Sequence, residues 1–446
     1  MIEPACSTAA ALDTKRAKQW LRQILHETLD EVRGDRLVER LGPVSGDRWS
    51  IAAGHRRFEW PLPTEGRLIV VGAGKACAAL ARGLERVLGD RIDDGCIITK
   101  YGHREELAHI RQYEAGHPLP DGAGVAATAE LLRTVSGLSA NDCVIVLLTG
   151  GASSLLVAPV EGVSLAEKAA ATDTLLRSRA SIEEINCVRT ALSRIKGGRL
   201  LDYLAPASVL TLLLSDVPRG DDGAIGSGPT IPRRTDGTDA AEIVRRYGIK
   251  AKLPASVRAA LKRGRIDSPA EQPTRCETAV VGDRTTLVRA VADAARRHAL
   301  PLVPVDLRMS GDTHAAARVM ADALINRAAD ERPALLISAG ETTLEVTGGG
   351  RGGRNQEFAL VAAMALEEIN GAVMLAAGTD GTDGPTDAAG AFADGTLCAR
   401  ARGIGLDPRA AIAHNDSNPL LARTGDLIHT GPTGTNLMDV VLGLAF

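Results

Sequence analysis

In the stretch VVGAGKAC, Gly72 and Gly74 punctuate the passage from an apolar run into a helix-like segment, and Lys75 follows at the helix opening. A cation in a first helical turn faces the positive end of the macrodipole, at a cost of about 0.3–1 kcal/mol. A bound phosphate oxygen offsets that cost, and open backbone N–H groups at such a turn favour an anion as well. In phosphoryl transfer a lysine so placed stabilises charge on the bridging and transferring groups. A solvated lysine extending away from the turn is the plainer alternative. The same conflict recurs in TGGGRGGRNQEFAL, where Arg354 leads Asn355, Gln356 and Glu357 into a helix. A guanidinium there forms paired hydrogen bonds to a carboxylate or phosphate. Arg351, earlier in the same run, reads as a loop charge.

Neither loop completes a nucleotide fingerprint. VVGAGKAC begins the dinucleotide GxGxxG, but its third position is Cys77, and the next apolar run ends in Lys100 where an acid would meet the ribose. The spacing of a Walker A loop fails as well. LLTGGASSLL offers Gly150, Gly151, Ser153 and Ser154 as backbone and hydroxyl donors for a carboxylate or phosphate, with helix capping by the serines as the competing role. Two acidic, glycine-rich loops follow: SDVPRGDDGAIGSGPT, with Asp216, Asp221 and Asp222, and GTDGTDGPTD, with Asp380, Asp383 and Asp387. Magnesium takes one or two carboxylates plus waters and phosphate oxygens, so Asp216 and Asp380, nearest their strands, are the candidate ligands, with Thr379 a binding candidate beside them. Asp216 is also the candidate acceptor of a substrate hydroxyl proton. Asx-turns explain any one of these aspartates equally well. HPLPD holds His117 either to line a pocket or to turn the chain. EINCVRTALSRIKGGRL places Asn186, Arg189, Ser193 and Lys196 on related helix faces, as a solvated basic face or with Asn186 and Lys196 turned toward a ligand.

The elements that must position these residues alternate. Thr14 to Arg33 carries apolar residues at helical spacing and reads as an amphipathic helix. Then RLIVVGAG, GCIITK, CVIVLLTGG and SVLTLLLSD alternate with helical segments over Lys75–Val87, Gly124–Val135 and Leu165–Arg199, the pattern of a doubly wound parallel sheet. Residues 264 to 276 are polar, hold two prolines and read as a linker. Beyond it TAVVGD, LVPVDL, ALLISAG, TLEVTG, VMLAAGTDG and VVLGL resume the alternation. The expected fold is therefore α/β, a Rossmann-like doubly wound N-terminal domain over 1–265 and a second α/β domain over 266–446. Glycine-rich loops after the strands gather where such sheets bind ligands.

Composition excludes several classes. The 446 residues carry a net charge of −3, which gives no global attraction to nucleic acid or an anionic membrane. Only 2% are aromatic, too few for base-stacking platforms. The seven cysteines are scattered and never form CxxC, against a disulfide framework and in favour of a reducing compartment. No apolar run approaches ~18 residues, and the first residues lack signal-peptide character. A cytoplasmic protein acting on small molecules is the expectation.

With these residues in hand, the chain resembles the class II glycerate 2-kinase family, built from a MOFRL-associated N-terminal domain and a C-terminal MOFRL domain. The strings that carry the resemblance are GAGKA, HPLPD, LLTGGASSLL, INCVRTALSRIKGG, LLLSDVPRGDDGAIGSGPT, SAGETT, GGRNQEFAL, GTDGTDGPTDAAGAF and GPTGTNLMD, in consistent order from about residue 70 to 440. The resemblance implies phosphorylation of D-glycerate to 2-phosphoglycerate by ATP with Mg2+, in a cleft between the domains, with Lys75 and Arg354 as the principal catalytic cations. It also implies a MOFRL region over about 331–440, with a homodimer as one compatible assembly. Some relatives carry the name hydroxypyruvate reductase. A reductase using NAD(P)H and a non-catalytic sensor of hydroxy acids or nucleotides are the two alternatives to a kinase.

Overall fold

The computed structural model describes residues 13–178, 180–217, 222–231, 240–263, 272–304, 309–327 and 332–446. Asp221 and most of the expected linker lie outside the described residues. The chain forms two compact units. The N-terminal unit comprises Arg33–Asp283 and Gly434–Asn436; the C-terminal unit comprises Arg284–Thr433, Leu437–Phe446 and the leading segment through Val32. Two pieces thus fall across the expected join at 265. Helix α1 (Thr14–Glu31) belongs with the C-terminal unit, burying Leu21, Ile24, Leu25 and Leu29. The strand Cys276–Gly282, which follows the linker, completes the first sheet. A polar excursion marks where the chain leaves the surface; it does not say which sheet edge the next strand will find.

The N-terminal unit is built on β1 (Leu68–Ala73), β2 (Asp94–Lys100), β3 (Arg111–Ala115), β4 (Cys143–Thr149), β5 (Ser208–Leu214) and β6 (Cys276–Gly282). All pairings are parallel and the order is β3-β2-β1-β4-β5-β6. β1 and β4 are buried along their whole length, which explains their unbroken Val, Ile and Leu runs. Helix α2 (Cys77–Leu88) follows β1 and buries Leu80, Leu84 and Leu88, four residues apart. Helix α3 (Gly122–Thr134) follows β3, and its Ala127 and Leu131 join Ile69, Val71 and Val146 in one apolar cluster. The strand order reverses between β1 and β4, the position at which doubly wound sheets gather their ligand-binding loops. A short helix α4 (Ala152–Leu155) follows β4. Helices α5 (Leu165–Arg177) and α6 (Ile182–Ala191) then pack on a core of their own that includes Val163, Leu175, Val188 and Ile243. Each of these two helices opens on a serine capping box, Ser164 with Glu167 and Ser181 with Glu184.

In the C-terminal unit, α7 (Arg284–Arg297) and α8 (Thr313–Ile325) flank β7 (Leu302–Pro304). β8 (Ala334–Gly340), α9 (Arg354–Ala365), β9 (Ala372–Gly378), β10 (Gly390–Asp394), β11 (Leu427–Ile428) and β12 (Asp439–Ala445) follow. The sheet order is β7-β8-β12-β9-β10-β11, with β7 and β8 parallel and the remaining pairs antiparallel. The last strand therefore lies in the middle of its sheet. TLEVTG, read as a strand from its alternation, makes only a bridge between Thr343 and Asp312. β10, with the sequence GAFAD, escaped the sequence reading because small residues give no strand signal. Among the described residues every cysteine is a free thiol and no helix is long and apolar enough to cross a membrane.

Candidate active site

At the carboxyl ends of β1 and β4 the two glycine loops meet. The Lys75 N–H donates to the Gly150 carbonyl at 2.9 Å, and the Ala76 N–H reaches Thr149 Oγ1 at 3.2 Å. Gly74 N–H bonds to Ile98 O and Cys77 N–H to Gly74 O. The open N–H groups expected along this turn are thus engaged inside the fold. Lys75 also stands two residues ahead of Cys77, the first residue of α2, rather than within the first helical turn. The turn needs that length to cross from β1 to β4. Gly72, one residue before the end of β1, lets the two strands close: a Cβ there would lie 2.2 Å from Leu147 O.

Gly150 and Gly151 are the centre of the arrangement. Gly151 holds φ at +89°, and a Cβ on it would stand 3.0 Å from Lys75 Cγ and 3.1 Å from His117 Cδ2. A Cβ on Gly150 would fall 1.8 Å from Asp216 Oδ2 and 1.9 Å from Asn436 Nδ2. Asn436 Nδ2 itself donates to Asp216 Oδ2 at 3.2 Å. Lys75 after β1, His117 after β3, Asp216 after β5 and Asn436 from the 434–436 segment therefore converge on one dipeptide after β4. Sequence reading found the first three singly but had no means of joining Asn436 to them.

The neighbouring candidates support this loop from behind. Ser154 Oγ donates to Gly151 O at 3.1 Å, and Ser153 Oγ pairs with Ser227 Oγ at 3.1 Å. Buried Lys196 sends Nζ to Ser153 O and Gly226 O, each at 3.0 Å, tying the β4 loop to the turn Asp222–Ser227. Burial, then Lys168 and Arg189, hold the Lys196 pKa well below the ordinary lysine range. Asn186 Oδ1 accepts a long bond from Arg189 Nη1 at 3.5 Å.

The C-terminal unit carries the second constellation. Arg354 is the first residue of α9, as its sequence suggested. Its guanidinium is not left for a ligand alone to balance: Nε lies 2.5 Å from Asp439 Oδ2, and Nη2 lies 3.1 Å from Asp439 Oδ1 and 2.9 Å from Glu341 Oε1. Burial alone would lower the Arg354 pKa, but the Asp439 and Glu341 carboxylates outweigh it and hold the group firmly charged. These carboxylates, together with Asp383, supply the negative charge that the helix opening lacked. Asp383 accepts the Asn355 and Gln356 backbone N–H groups at 3.1 and 2.9 Å, and Gly353 makes room for it, since a Cβ there would sit 2.3 Å from Asp383 Cγ.

Asn355 Nδ2 also reaches Asp383, while its Oδ1 is buried with no partner. Glu357 is buried, held by His314 Nε2 at 2.6 Å and Asn415 Nδ2 at 3.2 Å. Thr379 Oγ1 donates to Met438 O and accepts from Leu437 N–H, and Thr379 O accepts from Thr433 Oγ1. Asp380 accepts from Thr382 N–H and Oγ1. Asp439 and Glu341 were missed at the sequence level; the usable signal was an acid opening the otherwise apolar run DVVLGLA.

Comparison with known proteins adds the following. Residues 20–262 match a domain of unknown function (DUF4147), and residues 334–439 match the MOFRL family. The chain is 40% identical to a D-glycerate 2-kinase of Thermotoga maritima, over 85% of this chain and 90% of that protein. It is also 40% identical to a putative hydroxypyruvate reductase of Agrobacterium vitis, over 85% of this chain and 87% of that one. A crystal structure of glycerate kinase from Thermotoga maritima superposes with a TM-score of 0.80 at 37% identity, covering 97% of this chain and all of the other.

Proposed function

Because the chain belongs to the class II glycerate 2-kinase family, with a DUF4147 domain followed by a MOFRL domain, we propose that it transfers the terminal phosphoryl group of ATP to the C2 hydroxyl of D-glycerate. The observation that carries this reading is the convergence of Lys75, His117 and Asp216 on Gly150–Gly151, at the point where the sheet order reverses. Cation, imidazole and carboxylate around a glycine dipeptide suit an anionic substrate whose hydroxyl must lose a proton. In this reading the oxygen of the glycerate hydroxyl attacks the γ-phosphorus, the bond to the β-phosphate oxygen breaks, and Asp216 takes the hydroxyl proton. Lys75 offsets the negative charge that spreads over the transferring group, Arg354 is the candidate catalytic cation of the C-terminal unit, and the Gly72–Gly74, Gly150–Gly151, Ser153 and Ser154 loops bind substrate and nucleotide. In the N-terminal unit Lys196 braces the Gly150–Ser154 loop; Asn186, and in the C-terminal unit Asn355, Glu357 and Thr379, are further candidates for binding substrate and nucleotide.

Magnesium neutralises nucleotide phosphate charge when bound. Among the described residues no three His, Cys, Asp or Glu side chains form a ready cage, and magnesium asks for none, since it binds through one or two carboxylates. Asp216, half-buried at the end of β5, fits that demand; Asp380 is the second candidate. The reductase name borne by some relatives asks for a dinucleotide loop. Here Cys77 fills the third glycine position, fully buried in α2, and β2 ends on Lys100.

The test is ADP release with magnesium, ATP and D-glycerate, with phosphorus NMR to place the phosphate on C2. Lys75→Met is expected to cut turnover by about 100-fold or more, the scale of losing one preorganised charge partner, with the melting temperature unchanged. Oxidation of NADH by hydroxypyruvate without ATP, or full turnover in the Lys75 variant, would overturn the reading.

A further inference from the structure

Behind the β4 loop, in the N-terminal unit, three cations share one interior. Lys168 lies in the first turn of α5, Arg189 in the last turn of α6, and Lys196 just beyond it. Lys168 is 7% exposed and Lys196 1% exposed. Lys196 Nζ spends two of its protons on the Ser153 and Gly226 carbonyls. Among the described residues Arg189 makes only the long contact to Asn186. Lys168 Nζ is buried with no hydrogen-bond partner among the described residues. Two of the three lie in the electrostatic field of another: Arg189 acts on Lys168, and both act on Lys196. No described carboxylate enters the electrostatics of Lys168, Arg189 or Lys196.

An isolated ammonium in such surroundings is costly, and a protein ordinarily pairs it or leaves it neutral. Here burial, with Arg189 adding to it, draws the Lys168 pKa down to about 7. Lys168 stands besides near the positive end of its helix, which adds to the cost of a cation there. Apolar residues of the same volume would have satisfied the packing without any of these penalties. A single carboxylate would balance one cation of three and use few of the available N–H groups. A phosphate carries about two negative charges near pH 7 and several acceptor oxygens, which the three Lys168 protons, the Arg189 fork and the remaining Lys196 proton can meet.

We infer that Lys168, Arg189 and Lys196 form a binding site for a phosphate group, reached from the half-exposed Arg189 side and coupled by Lys196 to the Gly150–Ser154 loop. The phosphate comes either from the polyphosphate of a nucleotide or from a free phosphate monoester or inorganic phosphate. The site is distinct in its residues from the Lys75, His117 and Asp216 group. It does not require that the glycerate reading be right.

The experiment is calorimetric titration of the full chain with inorganic phosphate and, separately, with ADP, in the wild type, Lys168→Met and Lys168→Arg. Lys168→Met is expected to weaken binding by about tenfold or more, the loss of one charge-assisted hydrogen bond. Lys168→Arg, which keeps the charge, is expected to retain most of it. Without ligand, Lys168→Met should melt no lower than the wild type, since it removes an unpaired charge from the interior, and phosphate should raise the wild-type melting temperature more than that of the variant. Loss of ADP binding along with phosphate assigns the site to the nucleotide. Loss of phosphate binding with ADP unaffected assigns it to a free phosphate or monoester. Wild-type protein that binds neither, or a methionine variant that binds both as well as the wild type, overturns the inference. Because the titrations involve no turnover, an inactive kinase and an empty cation cluster give different results.

Discussion

At the scale of single residues, Lys75 and Arg354 looked alike in the sequence and differ in the structure. Lys75 lies against Gly151 and His117 in a turn whose backbone is already satisfied. Arg354 is a structural ion-pair partner as well as a candidate catalytic group, bridging Asp439 and Glu341. Their variants should therefore separate. Lys75→Met acts on turnover, whereas Arg354→Met leaves the buried Asp439 without its cation and should cost about 2–3 kcal/mol of stability, less than the ~3–5 of a fully buried pair because the guanidinium is partly solvated. Denaturant melts measure this, and adding Asp439→Asn to Arg354→Met should recover much of the loss. The sequence suggested the cation and the helix start but not the acid 85 residues later that completes the pair, because contacts so distant leave no local pattern. Gly150 offers a finer probe. An alanine there must displace Asp216 and Asn436, so Gly150→Ala is expected to cost about 1–3 kcal/mol of overpacking strain and most of the activity, read by paired melting and ADP-release assays.

At the scale of elements, the legible parts were those whose signal is local. The strands of the parallel sheet are largely apolar runs, and α1, α2 and α3 carry helical periodicity, so each fell within a few residues of its place. TLEVTG carried the alternation of a strand but found only one bridge partner, and β10 has Phe392 as its one large apolar side chain among Gly390, Ala391 and Ala393, too little to announce a strand. The anchoring of α1 is another non-local matter. Lys18 Nζ pairs with Asp426 Oδ1 at 2.7 Å and with Asp394, and Arg400 Nη2 reaches the same two acids. Burial raises the Asp394 pKa, but Lys18 and the Thr396 bonds outweigh it and bring the carboxyl down to about 2. Its unfolded value of 3.8 is higher, so the unfolded chain binds the proton more tightly. Asp394 thus contributes stability at pH above about 4, lost as the pH falls toward 2. Lys18→Met should raise the folded pKa and move the acid-unfolding midpoint to higher pH, followed by circular dichroism; an unchanged midpoint would mean that α1 is held by its apolar face alone.

At the scale of the whole molecule, two units are not two consecutive halves of the sequence. Helix α1 and the last strand both serve the C-terminal unit, and β12 lies between β8 and β9 in its sheet. The N-terminal unit is nearly continuous: the span Arg33–Asp283, with only Gly434–Asn436 added from elsewhere in the chain. Composition pointed to a boundary at 265, at the polar stretch; strand pairing puts it after Gly282, because β6 aligns with β5 from Val209↔Cys276 to Leu214↔Gly282. The two boundaries make opposite predictions for fragments. A fragment of residues 33–283 retains all six parallel strands, with β6 shielding the otherwise apolar flank of β5, and should express as a soluble domain with one cooperative melt. A fragment of residues 33–265 leaves β5, with its run of buried leucines, as an open edge, the kind of edge that recruits other chains. It should aggregate or melt without cooperativity. Sedimentation and thermal melts of the two fragments decide the matter: a soluble, cooperative 33–265 would show that β6 is dispensable and that the polar stretch, not the sheet, ends the domain.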